Sequence, residues 1–150
     1  MDKLVPGSFA GYVSEAGGEL VQEWYDGLPE EERDEIRDTL NYLASLPPTQ
    51  WRRPEFDKVD SPLHEIGCKA SKKNRWIRIY GVWDSHRRGR FILLFGNEEK
   101  KVRNDKQGKS IARDRLKLLD QGKASTHEFA IEARPSGENS QGQRGKGATS

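Results

Sequence analysis

Residues 75–84 read RWIRIYGVWD, and residues 90–96 read RFILLFG. The first stretch is rich in β-branched and aromatic side chains, which suit a pleated, half-buried surface. The second is a short continuous apolar run, the pattern of a central strand covered on both faces. A polar turn, SHRRG at 85–89, separates them. Upstream, LHEIGCK at 63–69 reads as a further strand, and SKKN at 71–74 as the turn that joins it to RWIRIYGVWD. Three strands joined by short turns are expected to form an antiparallel meander.

Outward from this centre the period changes. Residues 4–13 offer Leu4, Val5, Phe9, Tyr12 and Val13 as a first strand, interrupted by Pro6, Gly7 and Gly11. Residues 19–26 place Leu20, Val21 and Trp24 on one helical face, with Gly27 as a stop. Pro29 and three glutamates then open a second helix, since acidic residues in a first turn complement the helix dipole. Ile36, Leu40 and Leu43 recur at helical spacing until Pro47-Pro48 ends it. Residues 47–62 read as a loop anchored by Trp51 and Phe56, and residues 97–109 as a basic connection. A third helix is expected over 111–121, capped by Ser110, with Ala112, Leu116 and Leu119 toward the sheet. The order β-α-α-β-β-β-α argues an α+β fold with helices packed on an antiparallel sheet. Residues 1–132 are expected to form one domain. Residues 133–150, dominated by Gly, Ser, Gln and Pro, are expected to be a disordered tail.

The chain has 150 residues, a single Cys and three His. One cysteine excludes a disulfide scaffold and a Cys-based zinc cage. No run of eighteen apolar residues exists, and the N-terminus lacks the basic and apolar regions of a signal peptide. A soluble cytoplasmic protein with no membrane association is therefore expected. The net charge of +2 hides an asymmetry. Residues 1–63 hold 6 Lys/Arg against 14 Asp/Glu, whereas residues 64–123 hold 17 against 7. A basic half of this kind suggests a polyanion-binding face; internal complementarity of the two halves is the alternative.

Several chemical motifs fail on inspection. Gly108-Lys109-Ser110 looks like the end of a phosphate-binding loop, but Arg103 stands where the required glycine should be. His64-Glu65 lacks the second histidine of a zinc protease, and His64, His86 and His127 have no ligand spacing. Cys68 has no activating neighbour in sequence and reads as a small buried hydrophobe. No nucleophile elbow is present. No cofactor or metal is expected.

What remains is a basic, aromatic-rich sheet. Strict alternation puts Trp76, Arg78, Tyr80 and Val82 on one face of the 75–84 strand, with Ile77, Ile79 and Trp83 on the other, helix-packed face. Arg78 would stand between two aromatic rings on an open face, where it can hold a phosphate while bases stack beside it. An arginine stem that simply covers aromatic surface is the alternative. Lys69, Lys72, Lys73 and Arg75 surround the preceding turn, Arg87, Arg88 and Arg90 the following one. Lys100, Lys101 and Arg103 follow the apolar strand. The 71–74 turn and the end of RFILLFG are expected to share one rim of the sheet.

These segments, in this order, resemble the RelE/ParE superfamily of bacterial toxins, in particular its HigB-like, phage-associated branch. VQEWYDGLPEEERDEI is similar to the opening helices of that family, and LHEIGCK to its "L-Y-E-L-R" strand. RWIRIYGVWD resembles the strand with a central arginine, and RFILLFGNEEKKVRNDKQGKSIARDRL the final strand, basic pair and closing helix. The resemblance spans about Glu19 to Gly122. It implies a small RelE-like fold with two N-terminal helices, a meander sheet and one C-terminal helix. It also implies a toxin held by a cognate antitoxin that cleaves mRNA on the ribosome as a metal-independent endoribonuclease. Carried onto this sequence, Arg78 would stabilise the phosphate, Lys100 and Lys101 would bind phosphate or leaving-group charge, and His64 would serve as general base. Lys69, Lys72, Lys73, Arg75, Trp76, Tyr80 and Arg103 would contact RNA. The sequence departs from the family at three points: residues 104–121 contain no Tyr, Gly67 stands where Arg is usual, and Asn97 where an aromatic is common. A gyrase-poisoning, ParE-like toxin and a non-catalytic RNA-binding member of the same fold are the alternatives.

Overall fold

The computed structural model describes residues 8–70, 75–99 and 105–131. In chain order the elements are β1 (Phe9–Val13), α1 (Leu20–Asp26), α2 (Glu30–Ala44), a short 3-10 turn (Pro48–Gln50), β2 (Phe56–Asp60), β3 (Leu63–Ala70), β4 (Arg75–Trp83), β5 (Phe91–Glu99), α3 (Lys106–Asp120) and β6 (Ser125–Glu128). The fold is α+β, a six-stranded sheet in the order β2-β3-β4-β5-β1-β6 with three helices.

The expected meander is present as β3-β4-β5, but the whole sheet is mixed. β1 pairs with β5 in parallel, and β6 pairs with β1 antiparallel. β1 returns to β5 from the far end of the sequence, a pairing that no local pattern announces. Residues 56–60, read as loop, form β2 because Phe56 is buried in an aromatic cluster while Asp57, Lys58 and Asp60 line the sheet edge. Phe56, Trp83 and Phe91 all surround Trp51, with ring centroids 5.3, 4.9 and 6.0 Å away. Trp51 thus anchors the 47–55 segment, as expected.

Two faces of the sheet are covered. Val21 and Tyr25 of α1 and Ile36, Leu40 and Leu43 of α2 are buried, in line with their helical spacing. Trp24 lies so close to β5 that a Cβ on Gly96 would fall 2.2 Å from its ring. α3 packs on the other face through Ala112, and Arg115 reaches between the rings of Tyr12 and Phe95, 5.2 and 5.3 Å from their centroids. It also donates to the Leu94 carbonyl at 2.8 Å. α3 begins earlier than expected. Asp105, not Ser110, is its N-cap, and residues 106–109 are helical. Likewise β5 runs on to Glu99 because Glu98 and Glu99 pair with Ile77 and Trp76.

Beyond β6, Phe129 and Ile131 are buried, and the Gln22 amide pairs with both the N–H and the C=O of Ala130 at 2.9 Å. Satisfying both backbone groups with one side chain holds this segment on α1. The expected 71–74 turn and 133–150 tail lie outside the described residues. No described helix is long and apolar enough to cross a membrane.

Candidate active site

β4 obeys its alternation. Tyr80 bonds to Asp105 at the start of α3, and Val82 lines a cavity with Leu116 and Leu119. Arg78 and Tyr80 therefore lie on the α3 face. That face is not open as expected. Tyr80 is fully buried and Arg78 is only 5% exposed, because the cap of α3 is bonded down onto the sheet beside them.

Register brings the neighbours. Arg78 pairs with Gly67 on β3 and with Asn97 on β5, and Glu65 pairs with Tyr80. The Arg78 Nη1 lies 3.4 Å from Glu65 Oε1, while its Nε is buried with no hydrogen-bond partner among the described residues. Burial raises the Glu65 pKa, and the neighbouring Arg78 opposes that rise. Asp105 completes the group. Its Oδ1 accepts from the Gly108 N–H at 3.0 Å, and its Oδ2 from Tyr80 Oη at 2.9 Å and Asn97 Nδ2 at 3.1 Å. Burial and the bond to Asp105 push the Tyr80 hydroxyl pKa far up, so Tyr80 keeps its proton. With no exposed ring, it offers no stacking surface for a base.

The departure at Gly67 has a spatial reason. The Trp76 indole lies over it, and a Cβ there would sit 2.8 Å from the Trp76 ring. An arginine at 67 and this placement of Trp76 exclude each other. Asn97 is likewise occupied, as a donor to Asp105.

Lys69 is exposed, lies on the Arg78 face by alternation and pairs with Trp76. Arg75 pairs with Ala70 at the same end of the sheet, where Trp76 also pairs with Glu99. The end of β3, the start of β4 and the end of β5 thus share one rim of the sheet. Lys72, Lys73, Lys100, Lys101 and Arg103 themselves lie outside the described residues. Arg87, Arg88 and Arg90 belong to the opposite end of β4.

His64 does not join this group. It sits on the other face of β3, stacked on Phe56 with centroids 5.0 Å apart and planes 10° apart, and its Nδ1 is 3.0 Å from the Pro62 carbonyl. Burial lowers its pKa. Among the described residues no cluster of His, Cys, Asp or Glu could hold a metal ion. Cys68 is buried, with its thiol pKa pushed up to about 12, as suits a structural cysteine.

Residues 23–117 match the family model described as phage derived protein Gp49-like (DUF891). The chain belongs to the Gp49-like family. This is a toxin family of toxin–antitoxin systems, related to the RelE/ParE fold, and it implies a cognate antitoxin as partner. No curated protein matches the chain. The Gp49-like match takes in β2 to β5 and the Arg78, Glu65, Asn97 and Asp105 group, while β1 and β6 fall outside it. Glu65 and Asp105 are the residues that sequence reasoning missed. Alternation in LHEIGCK already sets Glu65, Gly67 and Lys69 on one face, but only the register of β3 on β4 shows that this face carries Arg78.

Proposed function

We propose that this Gp49-like protein is a HigB-like toxin that cleaves mRNA on the ribosome and thereby inhibits translation. The observation that supports it best is Arg78, a buried guanidinium that, among the described residues, has no partner for its Nε and one carboxylate, Glu65, at 3.4 Å. A guanidinium fixed this way stabilises the charge that develops on a phosphate once that phosphate has displaced Glu65 from it. RNA cleavage requires a base for the 2′-hydroxyl, charge stabilisation on the phosphorane and a proton for the leaving 5′-oxygen. When substrate phosphate replaces Glu65 as the partner of Arg78, the Glu65 carboxylate is freed to accept the 2′-hydroxyl proton. Glu65 rather than His64 takes the base role, since His64 faces away. Lys100 and Lys101 provide further positive charge at the leaving 5′-oxygen, which takes its proton from one of these ammonium groups or from water as the P–O5′ bond breaks, and Lys69, Lys72, Lys73, Arg75, Trp76 and Arg103 guide the strand along the rim.

The test is inducible expression in bacteria beside Arg78→Ala and Lys100→Ala/Lys101→Ala variants, with growth followed and total RNA mapped by 5′-end sequencing. The reading expects arrest with cuts inside translated codons, absent in both variants. Arrest with intact RNA and broken chromosomal DNA would move the function to gyrase poisoning. Folded, soluble protein without arrest or cuts would leave a binding role alone.

A further inference from the structure

The hairpin that joins β4 to β5 takes no part in the site above, although it carries Arg87 and Arg88. It borders an open cavity of about 720 Å³, lined among others by Pro48, Thr49, Trp83, Ser85, His86 and Arg88. The Trp83 indole is held as a rigid platform by packing on Trp51 and Phe91, 4.9 and 5.2 Å away. His86, Arg87 and Arg88 are exposed, and among the described residues no carboxylate pairs with either arginine. The one acid in the wall, Asp84, is already engaged. Its Oδ1 accepts from the His86 N–H at 2.8 Å, and its Oδ2 lies 3.7 Å from Arg90 Nε.

We propose that this cavity is a nucleotide subsite for single-stranded RNA. A base would stack against Trp83, neighbouring phosphates would pair with Arg87 and Arg88, and the Thr49 and Ser85 hydroxyls would bond the base edge or ribose. An aromatic wall beside two unpaired cations is the combination that single-strand binders use, because every base has a π-face and every linkage a charge. A simple anion has no use for the indole, and an apolar peptide gains nothing from the arginines. The subsite is separate from Arg78. Five residues of strand set Trp83 about 17 Å along β4 from it, and on the opposite face. The inference rests on the RNA reading above, but its test reads binding and not cleavage.

The experiment is fluorescence anisotropy of a labelled single-stranded RNA dodecamer with the full chain, titrated at several salt concentrations, with gels to show the RNA intact. Arg87→Gln/Arg88→Gln is compared with the unmodified chain. Both side chains are exposed, so melting followed by circular dichroism should coincide. Affinity is expected to fall roughly tenfold, and the slope of log K against log salt to flatten by about 0.7 for each lost phosphate contact. Unchanged affinity and slope overturn the subsite, as does an unmodified chain that binds a single-stranded DNA dodecamer of the same sequence, titrated in parallel, but not the RNA. RNA binding lost with these arginines in a chain that leaves cellular RNA uncut would uphold the subsite and sink the nuclease reading.

Discussion

Tyr80 donates its phenolic hydrogen to Asp105 at 2.9 Å, so the residue that caps α3 is also bonded to the middle of the sheet. The bond fixes where the third helix begins and closes the face on which Arg78 lies.

Asp105→Ala removes the cap of α3 and the acceptor of the buried Tyr80 hydroxyl. A lost cap costs about 1 kcal/mol and an unsatisfied buried donor about 1–3. We expect a loss of ~2–4 kcal/mol in urea unfolding, against ~1 for Tyr80→Phe, which removes one bond and leaves the cap. Equal losses would show that the cap contributes nothing beyond the tyrosine bond.

Gly96→Ala drives a methyl group into the Trp24 ring. Overpacking of this kind costs ~1–3 kcal/mol. Trp24→Leu in the same chain should recover part of that loss, because neighbouring substitutions couple. Thermal melts of the two single variants and the double variant measure it, and strictly additive losses would contradict the contact.

Burial lowers the His64 pKa from its ordinary 6.5. Below that value the unfolded chain binds the proton more readily than the folded one, so stability rises with pH through this window and falls as the solution is acidified from 6.5. His64→Gln should flatten that acid slope even though it forfeits the stack on Phe56. Unfolding measured in steps from pH 7 to pH 5 gives the comparison, and parallel slopes would mean that the imidazole titrates as it does in water.

Glu65→Gln keeps an oxygen for Arg78 but removes the proton acceptor. If Glu65 takes the 2′-hydroxyl proton, single-turnover cleavage on programmed ribosomes should fall ~10²-fold or more, with substrate binding little changed. Glu65→Asp should retain the pH profile at a lower rate. Full activity in Glu65→Gln would reduce Glu65 to a counterion of Arg78.

Cys68 is buried and its thiol pKa is pushed up to about 12. It should ignore a thiol reagent in the native chain and react only as fast as the chain unfolds, because the thiolate is the reactive form. Rapid labelling of folded protein would show that β3 opens locally.

Much of the fold was legible. The β-branched and aromatic content of RWIRIYGVWD and the apolar run RFILLFG gave two strands, and Ile36, Leu40 and Leu43 gave the buried face of α2. β2 was missed because Phe56 is its only large buried side chain, too little for a period. The start of α3 was missed because Asp105 sits among basic residues that read as loop. Of the candidate site, Arg78 was visible through alternation and resemblance, whereas Glu65 and Asp105 were not.

Local pattern by itself determined which residues of each strand share a face and which helical stripe is apolar, since both follow from backbone periods of 2 and 3.6 residues. Which strand lies beside which, and in what register, was decided only by the tertiary structure. β1 reaches β5 across some eighty residues of chain, and a shift of one residue between β3 and β4 would carry Glu65 to the face opposite Arg78. The chemistry of Arg78 depends on that register, because a guanidinium acquires its carboxylate partner, its cover and its low-dielectric surroundings from segments that its own strand does not encode.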